Sequence, residues 1–219
     1  MIVALDVGSL QEARRFVRLL KSEVHLYKVG SVLFTAAGPE VVRMIHDEGG
    51  RVFLDLKYHD IPNTVAKACE AAAGLGVFML DLHARGGREM LRAAAEAVKV
   101  ADSPPLLIGV TVLTSDPSGP DVSREVVQWA SLCYESGLDG IVCSPQEIES
   151  VRSRCGRKFV IVAPGIRPKI EGASYKDDQV RIATPSEAVR RGADYLVVGR
   201  PILAASDPLK VVKAILGEI

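Results

Sequence analysis

Short runs dense in β-branched and other apolar residues recur along the chain, each followed by a stretch whose apolar positions return every three or four residues. IVALDV is followed by QEARRFVRLL, HLYKVG by PEVVRMIHDEG, and RVFLDLK by PNTVAKACEAAAGLG. The alternation continues through VFMLDLHA, LLIGVTVL, DGIVCS, FVIVAPG and YLVVGR. Helical patterns lie at GREMLRAAAEAV, SREVVQWASLCYESG, PQEIESVRSRCG, TPSEAVRRGA and DPLKVVKAILGEI. Apolar strands separated by amphipathic helices describe a parallel sheet covered by helices. Eight such units in 219 residues approach the lower limit of a (β/α)8 barrel, which typically takes roughly 250. The pattern therefore predicts an α/β fold, a TIM barrel forming a single domain over residues 1–219. An open dinucleotide-binding sheet would show a G-x-G-x-x-G turn after its first strand, and the turn here reads DVGSLQEA.

Charge and cysteine usage narrow the function classes. Lys plus Arg number 27, as do Asp plus Glu, so no basic excess drives general binding to nucleic acid or anionic membrane. Any phosphate must be gripped locally. The opening MIVALDVG has no basic leader, and no apolar run approaches the length of a membrane span, which predicts a soluble cytoplasmic protein. Cys69, Cys133, Cys143 and Cys155 show neither CxxC pairing nor zinc spacing and read as reduced structural thiols. Trp129 falls on a helical apolar stripe and is expected in the core.

In a closed barrel, chemistry gathers where strands run into their following loops. Asp6, Lys28, Asp55, Lys57, His83 and Arg200 all fall there. Pro164–Ala183 is a long connection rich in Gly, Pro and charge, and its length predicts a functional lid. The next helix should begin with Thr184 as N-cap, Pro185 at its first position and Glu187 completing a capping box.

The most informative stretch is DLKYHDIPNT, Asp55 to Thr64. Side chains two apart on a strand point the same way, so Asp55 and Lys57 should project together, with Asp60 following in the turn. Carboxylates flanking an ammonium favour its charged form, which makes Lys57 a poor nucleophile and a good proton donor. The competing reading is a structural ion pair, with Asp60 capping the helix that starts near Pro62. Lys28, at the same end of the adjacent strand, supplies a second cation, and an alternating Lys, Asp, Lys, Asp array is costly as scaffolding alone.

Gly199 and Arg200 in VVGRPI follow the eighth strand, where barrels commonly hold phosphate, and Arg200 is the candidate ligand. The alternative is a surface arginine paired with a nearby acid. PGIRP could present Arg167 to the same anion or could simply be a rigid turn. His25, His46 and His59 show no metal-ligand spacing, and His83, near Asp81, is expected to orient neighbours.

DLKYHDIPNT resembles the signature D-x-K-x-x-D-I-P-N-T of the orotidine 5'-phosphate decarboxylase family. ALD, YKVG, LHARGG, TVLTS, SGLDGIVCS, APGIRP, DDQVRIATP and VVGRPI extend the likeness in the same order over nearly the whole chain. The resemblance implies cofactor-independent decarboxylation of orotidine 5'-phosphate to UMP, the last step of de novo pyrimidine nucleotide synthesis. It implies Lys57 as proton donor to C6, in a network with Lys28, Asp55 and the Asp60 of a second subunit, and hence a homodimer. Asp6, Lys28, Ile61 and Thr64 would contact the substrate, the first two and Thr64 at the ribose, with Thr114 beside the base. Gln179, Gly199 and Arg200 would hold the phosphate with Arg167.

Three rivals are weighed beside it. A sugar-phosphate decarboxylase of the same barrel superfamily would carry a similar acid–lysine pattern but use Mg2+. An aldolase-like barrel would use Lys57 as a Schiff-base amine, which flanking carboxylates oppose. A non-catalytic phosphate-ligand-binding barrel would need only Arg200 and the long connection.

Overall fold

The computed structural model describes residues 1–113, 121–168 and 181–219. Its eight strands are β1 (Ile2–Ala4), β2 (Leu26–Gly30), β3 (Arg51–Tyr58), β4 (Met79–His83), β5 (Leu106–Val110), β6 (Gly140–Val142), β7 (Val160–Ala163) and β8 (Tyr195–Val198). All pair in parallel and in sequence order, and β8 returns to β1 through Ile2↔Val197 and Val3↔Val198, closing the barrel. The predicted TIM barrel is the observed architecture.

The strand interiors explain why the barrel has one greasy end and one polar end. Ile2, Leu26, Phe53, Met79, Ile108 and Val162 pack together as a buried plug inside it. Residues two positions further along several of these strands share the inward side. They are Ala4, Lys28, Asp55, Asp81 and Val110, and all line a cavity at the C-terminal mouth. The outward-facing alternates, such as Val3, Tyr27, Val52, Leu54 and Leu80, join the larger core under the helices.

Those helices are α1 (Leu10–Leu20), α2 (Ser31–Ala37), α3 (Glu40–Asp47), α4 (Pro62–Gly74), α5 (Gly87–Val98), α6 (Val122–Glu135), α7 (Ile148–Cys155), α8 (Pro185–Arg191), α9 (Arg200–Leu203) and α10 (Pro208–Gly217). The start of α8 is as predicted: Thr184 accepts from the Glu187 N–H, Glu187 returns a bond to the Thr184 N–H, and Pro185 opens the helix. No described helix is long and apolar enough to cross a membrane.

Several expectations need correction. α2 was not anticipated: SVLFTAA follows Gly30 directly, and it buries only Leu33, so it shows no apolar stripe. Strand runs were expected to extend further, to Val7 in β1 and Leu113 in β5, yet pairing stops earlier. Leu5 still donates to the Lys28 carbonyl, and the Leu113 carbonyl accepts from buried Arg181 instead of a neighbouring strand. Trp129 packs against the core from a half-buried position, its indole N–H donating to Glu125 at 3.0 Å. The four cysteines are buried and unpaired, as expected. Burial pushes the Cys69 and Cys133 thiols up to about 12.

Candidate active site

The cavity at the barrel mouth encloses about 200 Å³ and is walled on one side by charge, on the other by Val110, Val112, Val142 and Val162. The charged wall is a chain of ion pairs. Lys28 Nζ lies 3.1 Å from Asp6 Oδ1 and 2.9 Å from Asp55 Oδ2. The other oxygen of Asp55 holds the ammonium of Lys57. The order along the rim is therefore Asp6, Lys28, Asp55, Lys57, and each cation is bound to at least one carboxylate. Two glycines keep this array uncrowded. A methyl group on Gly30 would sit 3.2 Å from Lys28 Nζ, and one on Gly199 would sit 3.2 Å from an Asp6 carboxylate oxygen.

Burial and pairing set the charge states. Burial alone would raise the Asp55 carboxyl, but Lys28, a hydrogen bond with Asp81 and then Lys57 hold it well below the usual carboxylate range. Burial likewise pulls the Lys28 ammonium down, while Asp55 and Asp6 outweigh that and leave it above the ordinary lysine value. Asp81 behaves oppositely: full burial and then the neighbouring Asp55 charge push its carboxyl well up. Of the two adjacent carboxyls, Asp55 carries the charge and Asp81 the proton.

Lys57 reaches its place by a route that strand alternation does not describe. Leu54 faces Leu80, but Tyr58 faces Leu82, so four steps along β3 span two along β4. The surplus residues form a bulge, and within it Lys57 takes φ +50, the one non-glycine residue at positive φ among those described. Asp55 and Lys57 do face the cavity together, as the spacing suggested, but through this bulge.

Arg167, Gly199 and Arg200 line the same mouth, with Gly199 next to the Asp6 end of the ionic array. Arg167 is fixed where the chain after β7 leaves and returns: its N–H donates to Ala183 O at 2.9 Å, and the Ala183 N–H donates to Gly165 O at 3.1 Å. Most of the connection expected to act as a lid, residues 169–180 with Gln179, lies outside the described residues, as does Thr114.

Asp60, Ile61 and Thr64 do not line this cavity. Asp60 accepts the Ile61 N–H at 2.6 Å and is exposed, so within one chain it neither flanks Lys57 nor serves as the N-cap of α4, which is Ile61. The reason is directional: the chain turns away from the mouth after Tyr58 to start α4 on the outside. Ile61 is 66% exposed. His83 stacks on His59 at 5.4 Å and accepts the Arg85 N–H, a local orienting role.

From the sequence Asp81 stands out only as a neighbour of His83, yet it accepts the Lys57 backbone N–H and lies beside Asp55. The signal was available: a lone carboxyl inside the apolar run VFMLDLHA, on the same face as Met79, must point into the barrel.

Comparison with known proteins places the chain in a family. A curated orotidine 5'-phosphate decarboxylase from Pelobacter propionicus is 50% identical, with 100% of this chain and 94% of that protein covered. One from Moorella thermoacetica is also 50% identical, covering 100% and 91%. Among solved structures, the orotidine 5'-phosphate decarboxylase from Lactobacillus acidophilus superposes with a TM-score of 0.85 at 36% identity, covering 100% of this chain and 97% of that one. The family model that matches residues 1–215 carries the same name, and on these grounds the chain belongs to the orotidine 5'-phosphate decarboxylase / HUMPS family.

Proposed function

We propose that this protein decarboxylates orotidine 5'-phosphate to UMP and CO2 without a cofactor, with Lys57 as the proton donor to C6. The observation that carries the reading is the Asp6–Lys28–Asp55–Lys57 array at the barrel mouth of a chain that belongs to this family. Loss of CO2 from C6 leaves a carbanion that the pyrimidine ring delocalises poorly. An ammonium held at that carbon stabilises the charge as it develops and then protonates it, an interaction strongest in the transition state. Asp55 has the opposite effect on the ground state. A substrate carboxylate about 4 Å from it, at an effective dielectric near 20, is repelled by roughly 4 kcal/mol, and the repulsion vanishes as neutral CO2 leaves.

The binding end divides the work. Arg167, Gly199 and Arg200, which line the same cavity, would hold the phosphate with Gln179. Asp6 and Lys28 would hold the ribose hydroxyls, and Thr114 would lie by the base. Grip on the remote phosphate offsets the strain at C6. Asp60, Ile61 and Thr64 would act across the interface of a homodimer, completing the neighbouring subunit's site. Their exposed position away from their own cavity supports that assignment.

The direct test is the absorbance change on conversion of orotidine 5'-phosphate to UMP by purified protein in EDTA. Full turnover is expected. Activity lost to the chelator and restored by Mg2+ would favour the metal-dependent rival, and no turnover under either condition would overturn the reading.

A further inference from the structure

The bulge in β3 creates a backbone problem. Lys57 sits at φ +50, a region that side chains other than glycine rarely occupy, and its N–H has left the ladder with β4. A buried backbone donor without a partner is costly. Asp81 on β4 takes that N–H at 2.7 Å through Oδ1. Asp81 is only 1% exposed, and its second oxygen has no hydrogen-bond partner. The Asp81 carboxyl also lies beside that of Asp55, the counter-ion of both lysines.

We propose that Asp81 is a positioning residue for Lys57: its Oδ1 fixes the lysine's bulged backbone, and its carboxyl group braces the counter-ion Asp55. Two carboxyl groups in contact need a proton between them. Asp55 is held charged by Lys28 and Lys57, so the proton resides on Asp81 and is donated to Asp55. The other titratable groups facing Asp81, Tyr58 and Cys69, are both pushed up to about 12 by burial and stay neutral. Asp81 thus couples the φ of Lys57 to the direction of its ammonium.

The kinetic consequence rests on the decarboxylase reading; the structural one does not. Asp81→Asn keeps an acceptor for the Lys57 N–H and a donor for Asp55, so turnover should stay within about threefold of wild type. Asp81→Leu keeps the branched side-chain shape, with bulkier methyl groups, but neither hydrogen bond. Its kcat should fall by about a hundredfold, the scale expected when a reacting group is misplaced by about an ångström, while UMP affinity changes by less than about threefold. Retained UMP binding shows that the Leu variant is folded. A Leu variant with wild-type kcat, or an Asn variant as impaired as Leu, would overturn the proposal. Crystal structures of the two variants read it independently of any activity: Lys57 should keep its positive φ in Asn and relax to negative φ in Leu. A Leu variant that does not fold leaves the Asn structure decisive. Loss of the Asn Oδ1 contact to the Lys57 N–H there would refute the proposal, even were orotidine 5'-phosphate not the substrate.

Discussion

Two carboxyl groups one strand apart, Asp55 and Asp81, are driven in opposite directions by the same neighbourhood. Asp55 is charged because Lys28 and Lys57 reach it; Asp81 is neutral because it is buried and Asp55 is already charged. This division has a stability signature. In the unfolded chain an aspartate titrates near 4, whereas folded Asp81 keeps its proton above that. Between the two values the folded state holds more protons, so its contribution to stability is fully present below the unfolded value and is lost as pH rises towards the folded one. Asp81→Asn cannot ionise and removes this slope. The melting temperature of the Asn variant relative to wild type should therefore climb as pH rises from 4 towards neutrality. A constant difference across that range would mean that Asp81 ionises normally in the folded protein.

At the scale of elements, the barrel depends on close strand contacts that only small residues permit. Gly140 opens β6 opposite Val160, and a Cβ there would lie 2.2 Å from the Val160 carbonyl oxygen and 2.6 Å from its Cβ. Both belong to the adjacent strand and cannot swing aside, so Gly140→Ala must push β6 from β7. Overpacking of this kind costs about 1–3 kcal/mol, or a drop in melting temperature of roughly 2–12 °C for a chain of this size. Thermal denaturation of the variant checks it, and an unchanged midpoint would show that the two strands have slack. Such strands were legible in the sequence because burial on both faces leaves continuous apolar runs, and α8 because its cap is written in three residues. α2 was not, since Ser31–Ala37 buries a single side chain and carries no period to read. The ionic array was legible because Lys28, Asp55 and Lys57 end adjacent strands. The bulge and Asp81 were not, because a register shift and a side-chain bond to an N–H 24 positions earlier leave no local pattern. The pair Arg181–Glu147 escaped for a similar reason. Its members lie 34 positions apart at 3.0 Å, both buried, tying the return of the chain after β7 to the start of α7.

For the whole molecule, the question is where the second acid of the signature acts. Asp60 belongs to the same ten-residue stretch as Lys57, yet the chain carries it out of its own cavity and leaves it exposed beside Ile61. If Asp60 serves the neighbouring subunit of a homodimer, the two residues of one site come from two chains, and mixing defective chains must restore function. Take Lys57→Ala and Asp60→Asn, each expected to be nearly inactive alone. In a mixed dimer, the site containing Lys57 belongs to the Asp60→Asn chain and receives an intact Asp60 from the Lys57→Ala chain; the other site has neither. Random reassociation of equal amounts makes half the dimers mixed, with one working site in two, so about a quarter of wild-type activity should return. If Asp60 instead acted within its own chain, no mixed dimer would contain a complete site, and the mixture would stay as inactive as its components.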